Sequence, residues 1–202
     1  MPACEAATRL RISAFGGLRL RGCAGDSFPL HQIFLYLATI IFNERTFPMI
    51  KVLFVCHGNI CRSTLAQSVF THMVKMMGLE NKFYINSMAT STEELGNPPH
   101  RGTVRKLYEV GIPVVPHRAT QIAWSDYDKY DYIIGMDSWN MKNLHRMLKG
   151  DSDGKLYKFL AFAGSERDIA DPWYTGNFDE TYEDVLEGCE GFISYLKKNG
   201  KI

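Results

Sequence analysis

Beyond residue 48, continuous apolar runs alternate with stretches whose apolar residues return every three or four positions. Val52–Val55 is one such run, and four consecutive apolar residues predict a strand buried on both faces of a parallel sheet. Ala66, Val69, Phe70, Met73, Val74 and Met77 then follow helical spacing until Gly78 stops the pattern. Phe83–Ser87 predicts a second strand, Thr103–Val110 a helix closed by Gly111, and Val114–Val115 a short strand before Pro116. Tyr132–Met136 and Leu156–Leu160 predict two more strands, separated by a helix that contains Met141, Leu144, Met147 and Leu148. Tyr182, Val185, Leu186, Cys189, Phe192, Ile193 and Leu196 mark the clearest amphipathic helix, with Cys189 on its apolar stripe. This alternation predicts one open, mainly parallel α/β sheet with helices on both faces and right-handed crossovers. Such sheets bind ligands beyond the carboxyl ends of their strands.

The 202 residues give length for one good core, and a net charge of +1 without a clustered basic face argues against nucleic acid as a partner. Five cysteines at irregular spacing do not read as the disulfide framework of a secreted protein, so a reducing cytoplasm is the expected setting. Residues 1–48 differ in kind. They hold five arginines and three acids, against 18 basic and 19 acidic residues in the remainder. Arg9, Arg11, Arg19 and Arg21 precede the apolar run Ile33–Phe42, an imitation of a signal peptide that lacks a small-residue cleavage site. The run is too short to span a bilayer. The expected domain is therefore 49–202, starting at Met49, with no membrane association. Residues 1–48 are expected to be an extension outside it, poorly ordered or an overextended gene start.

Chemistry concentrates in Val55-Cys56-His57-Gly58-Asn59-Ile60-Cys61-Arg62-Ser63, at the end of the first predicted strand and directly before a helix. Gly58 and Asn59 let the backbone curl and visit left-handed conformations. Such a loop turns successive N–H groups inward around an anion, and the N-terminus of the following helix adds to the positive field. Arg62 offers a planar fork for two phosphate oxygens, and Cys56 sits at the bottom of the cradle, where the field favours a thiolate. A nucleophile against a bound phosphate implies phosphatase chemistry. Cys56, His57 and Cys61 as zinc ligands are the competing reading; no tight Cys or His pair elsewhere supplies a fourth ligand, and Arg62 would repel a cation. No metal and no cofactor is expected.

This loop resembles the signature of the low-molecular-weight protein tyrosine phosphatases: Cys, any residue, Gly-Asn, any residue, Cys-Arg-Ser. Asp171-Pro172-Trp173-Tyr174 resembles the same family's acid loop, and the resemblance runs from about Met49 to the C-terminus. Thr64 stands where proline is frequent and Trp173 where tyrosine is common. The resemblance implies a phosphotyrosine phosphatase I, flavodoxin-like architecture and a monomer acting on tyrosine-phosphorylated proteins. Cys56 would be the nucleophile, Arg62 the phosphate clamp and Asp171 the general acid. His57, Gly58, Asn59, Ile60, Cys61 and Ser63 would complete the phosphate loop, with Ser63 donating to the Cys56 sulfur. Ser87 and His117 would hydrogen-bond Asn59 and hold the loop open. Trp173 and Tyr174 would wall the substrate cleft.

Asp-Pro alone ordinarily marks a turn; it is the Cys56 loop that turns Asp171 into an acid, since an aryl leaving oxygen needs a proton donor. Arsenate reductases share the loop but need further cysteines to relay a disulfide, and none lies between Cys61 and Cys189. A protein-arginine phosphatase is the nearer alternative; that branch tends to carry threonine where Ile60 stands, so Ile60 favours phosphotyrosine. Cys61 is close enough in sequence to form a reversible disulfide with Cys56.

Overall fold

A computed structural model of the chain describes residues 49–202, so the expectations for residues 1–48 lie outside the described residues. Four parallel strands form one sheet: β1 Ile50–Cys56, β2 Phe83–Ala89, β3 Tyr132–Gly135 and β4 Leu156–Lys158, in the order β2-β1-β3-β4. Val52 of β1 lies opposite Ile85 on one side and Tyr132 on the other. The helices are α1 Arg62–Met76, α2 Arg101–Glu109, α3 Ser138–Met147, the single turn α4 Pro172–Thr175, and α5 Phe178–Lys198.

Side chains alternate across a strand, and β1 uses both faces. Val52, Phe54 and Cys56 enter a core with Leu65, Val69 and Phe70 of α1 and Val185, Phe192 and Leu196 of α5. Leu53 and Val55 enter a smaller core with Ile133, Leu144 and Leu148 on the α3 side. Helices therefore cover both faces, as the uninterrupted apolar run predicts.

Two expected strands differ. Val114–Val115 is not a strand: Pro113 and Pro116 withhold the N–H groups a ladder needs, and the Val115 N–H donates to Ser68 Oγ at 3.2 Å. The run expected as Leu156–Leu160 ends at Lys158, and Phe159–Ala163 form a 3₁₀ turn. Phe159 turns inward against Phe54, with ring centroids 5.2 Å apart. Gly188 and Gly191 let α5 close onto this turn. A Cβ at Gly188 would meet the Phe159 ring at 2.9 Å, and one at Gly191 would meet the Ala163 nitrogen at 2.7 Å.

Candidate active site

The loop Cys56–Arg62 leaves the carboxyl end of β1, the central position that adjoins both β2 and β3, and runs into α1. Its carbonyls are held from outside. Cys56 O accepts the Thr90 N–H at 2.9 Å, His57 O the Ser91 N–H at 3.0 Å, Ile60 O the His100 N–H at 2.7 Å, and Cys61 O the Leu65 N–H at 3.0 Å. In a planar trans peptide the N–H points opposite the C=O, so the N–H groups of His57, Gly58, Cys61 and Arg62 face away from these partners. Thr64, where proline is frequent in the family it resembles, donates its hydroxyl to Ile60 O and Cys61 O, each at 2.9 Å.

Asn59 is the hub of the loop. Its φ of 58° is left-handed, a conformation Asn tolerates better than most residues. Its backbone N–H donates to Cys56 Sγ at 3.2 Å. Its amide nitrogen donates to Ser63 Oγ and Ser87 Oγ, both at 2.9 Å, and Ser87 Oγ donates onward to Gln67 Oε1 at 2.7 Å. Its oxygen accepts from His117 Nε2 at 2.7 Å and from the Thr120 N–H at 3.1 Å. Since Ser63 Oγ already accepts from Asn59, its own hydrogen is free for the Cys56 sulfur, 3.1 Å away. Burial pushes the His117 imidazole below its ordinary pKa, so it serves Asn59 as a neutral donor through Nε2.

Arg62 is 2 % exposed and is gripped by carboxylates on one edge. Its Nη1 donates to Asp137 Oδ2, and also to Ile169 O at 3.1 Å; Nη2 donates to Asp171 Oδ2 at 2.5 Å. The Nε–H is buried and has no partner among the described residues. Burial pushes the guanidinium pKa down, but the charges of Cys56, Asp171 and Asp137 outweigh it, and the net shift is upward. Asp171 caps the turn α4 by accepting the Trp173 N–H at 3.1 Å, with an extended backbone as the following proline demands.

One cavity of about 80 Å³ opens beside these parts, although Asn59, Arg62 and Ser63 do not themselves line it. Cys56, His57, Gly58, Ile60 and Cys61 line it together with Asp171, Trp173 and Tyr174, so both expected cleft residues, Trp173 and Tyr174, are there. Trp173 and Tyr174 are largely exposed, and Trp173 packs edge-on against His100, with ring centroids 5.7 Å apart. Glu93 and Glu94 also line the cavity, and Glu93 meets His57 Nε2 at 3.1 Å. Burial, then the neighbouring Cys56 charge, push the Cys61 thiol up to about 12. Among the described residues, no group of three or more His, Cys, Asp or Glu side chains is arranged to hold a metal ion.

Sequence reasoning missed Asp137, Gln67, Glu93, Glu94 and His100. Gln67 had a partial signal, a long polar side chain one helical turn after Ser63 and followed by Phe70 and Val74 on the same face. Asp137 reads in sequence as an ordinary helix cap, and it does accept the Asn140 N–H at 2.6 Å; its second oxygen holds Arg62.

A parallel sheet whose central strand delivers a cysteine into a loop closed by arginine, facing an aspartate across one small cavity, defines a class of phosphate-handling α/β domains with a cysteine at the centre. A family model for low molecular weight phosphotyrosine protein phosphatase matches residues 51–202. The low molecular weight protein-tyrosine-phosphatase YfkJ of Bacillus subtilis is 36% identical over 156 residues, 76% of this chain and 100% of that protein. Its crystal structure superposes with a TM-score of 0.72, at 38% identity over 75% of this chain and 96% of that one. The low molecular weight protein tyrosine phosphatase of Streptococcus pyogenes gives a TM-score of 0.66 at 43% identity over 73% and 93%. A Drosophila arginine phosphatase gives 0.68 at 28% identity over 73% and 98%. The chain belongs to the low molecular weight phosphotyrosine protein phosphatase family.

Proposed function

We propose that the chain hydrolyses phosphotyrosine in proteins through a phosphocysteine on Cys56, without a metal. One observation carries this reading: Cys56 Sγ accepts from Asn59 N and faces Ser63 Oγ at the floor of the cavity that Asp171 also lines. The sulfur attacks phosphorus in line while Asp171 protonates the departing tyrosyl oxygen. Arg62 enters the reaction from an ion pair. Asp137 and Ile169 O keep Nη1, and the substrate phosphate takes Nη2 from Asp171 together with the unpartnered Nε–H. That exchange frees the Asp171 carboxylate to take up a proton, from solvent or from the substrate monoanion, and to face the leaving group. Asp171 then takes a proton from water, and the hydroxide equivalent cleaves the S–P bond to release phosphate.

His57, Gly58, Ile60 and Cys61 shape the phosphate loop, Ser87 and His117 hold Asn59, and Trp173 and Tyr174 flank the tyrosyl ring. A peroxide would convert Cys56 to a sulfenic acid, which condenses with the Cys61 thiol to a disulfide and water. A monomer in the cytoplasm, which keeps Cys56 reduced, suits this chemistry; among the described residues no helix is long and apolar enough to cross a membrane.

The likeness to an arginine phosphatase keeps phosphoarginine as the second reading. Ile60 lines the cavity, and its bulk favours an aromatic ring over a guanidino group. Turnover of matched phosphotyrosine, phosphoarginine and phosphoserine peptides decides the matter. Preference for phosphoarginine would reject the tyrosine assignment. Asp171→Asn is expected to slow phosphotyrosine release by roughly 10²- to 10⁴-fold, and less for leaving groups that need no proton.

A further inference from the structure

Residues 165–171 carry Asp171 but form no helix or strand, so individual ties to neighbouring elements hold the acid in place. One tie lies at the carboxyl end of β4. Lys158 Nζ reaches Asp168 Oδ1 at 2.6 Å, Ser138 Oγ at 3.4 Å and the Glu166 carbonyl. Three acceptors match the three hydrogens of the ammonium, and the lysine side chain is only 14% exposed. Asp168 Oδ1 also accepts the N–H and hydroxyl of Ser138, at 3.0 and 2.9 Å. Burial pushes the Asp168 carboxyl up, but the hydrogen bonds from Lys158 and Ser138 overcome it and leave its pKa below the ordinary value. Next along the chain, buried Ile169 donates its N–H to Met136 O at 3.0 Å and offers its carbonyl to Arg62. Ser138 follows Asp137, the other holder of Arg62.

We propose that Lys158 and Asp168 are positioning residues for the reaction. Together with Ser138 they clasp the acid loop to the start of α3, so that Asp171 and Arg62 are referenced to the same short segment, 136–138. Neither residue touches the cavity that holds Cys56. They act through the placement of Asp171, and this inference rests on the acid role given above. Loosening the clasp should harm proton delivery and spare phosphate binding.

The test uses the full chain with two aryl esters, phenyl phosphate, whose leaving group needs a proton, and p-nitrophenyl phosphate, whose leaving group does not. Lys158→Met and the isosteric Asp168→Asn should each lower kcat/KM for phenyl phosphate about tenfold, and for p-nitrophenyl phosphate less than about threefold, a misplaced acid being the cause. Both should bind inorganic phosphate within about twofold of the unmodified chain, and the double variant should lose little more than the worse single one, since both break one tie. Equal losses on the two esters, or none on either, would overturn the clasp. An unmodified chain that turns over both esters but ignores phosphotyrosine peptides rejects the substrate assignment alone. One inert to both esters rejects the clasp as well.

Discussion

Asp171→Asn should tighten the binding of inorganic phosphate even as it cripples turnover. In the structure Asp171 Oδ2 occupies Arg62 Nη2 at 2.5 Å, with side-chain exposures of 20% and 3%. A hydrogen bond between such charged groups is worth about 1.5–3 kcal/mol net, and phosphate must give up that amount to reach Nη2. Asparagine presents a neutral oxygen, for which roughly half that strength remains. About 1 kcal/mol is then released, and the lost repulsion between carboxylate and phosphate adds to it. The expected gain is roughly fivefold to twentyfold in Kd, measured by calorimetric titration of phosphate at pH 7. Glu93→Gln serves as the control, because it removes one negative charge from the cavity rim at a side chain 70% exposed. Screening there should hold its effect below about twofold. Unchanged or weaker phosphate binding in Asp171→Asn, or an equal gain in Glu93→Gln, would refute competition between acid and substrate for Arg62.

Alkylation by iodoacetamide at pH 7, mapped by peptide mass, should mark Cys56 before Cys61, whose thiol is pushed up to about 12; first labelling at Cys61 would reverse the assignment. Cys56→Ser should be inert yet bind phosphate, while Cys61→Ser stays substantially active in the same assay. Asn59→Gly tolerates the left-handed backbone but breaks the side-chain bonds to Ser63, Ser87, His117 and Thr120. A loss of about 3 kcal/mol follows from the unsatisfied groups, which calorimetry should register as a Tm drop of about 6–12 °C; a drop below about 2 °C contradicts the hub. Burial lowers the folded pKa of His117 beneath 6.5, so its contribution is complete above that value and is lost as pH falls through the folded pKa. Thermal scans from pH 7 to 5 should show this decline, and His117→Gln should flatten it. A chain beginning at Met49 is expected to keep the turnover and Tm of the full chain; a markedly lower Tm would show that residues 1–48 contribute to the core.

Much of this fold was legible because its signals are local. The apolar run Val52–Val55, the helical spacing from Ala66 to Met77 and the stripe from Tyr182 to Leu196 each encode their own burial. One departure is as local as these signals, and the other is decided by a distant partner. Pro113 and Pro116 veto a strand that Val114 and Val115 suggest, and Phe159 leaves β4 because Gly188 opens a slot for its ring. In the site, Cys56, Gly58, Asn59 and Arg62 announce themselves by spacing within one loop. Asp137 and Lys158 do not. Asp137 meets Arg62 across 75 positions, and Lys158 carries no motif, only a place at the end of a strand.

The packing of α5 bears on how the enzyme comes into being. Val185, Cys189, Phe192, Ile193 and Leu196 close the core over β1, yet they leave the ribosome long after it does. Cys56 is made before them, and the apolar face beneath its loop stays uncovered until α5 is made. Asp171 arrives late as well. A chain cut short before α5 would therefore hold Cys56 without a settled loop, and one cut before Asp171 would also lack the proposed acid. Completion of α5, rather than production of Cys56, sets the moment at which the site can settle.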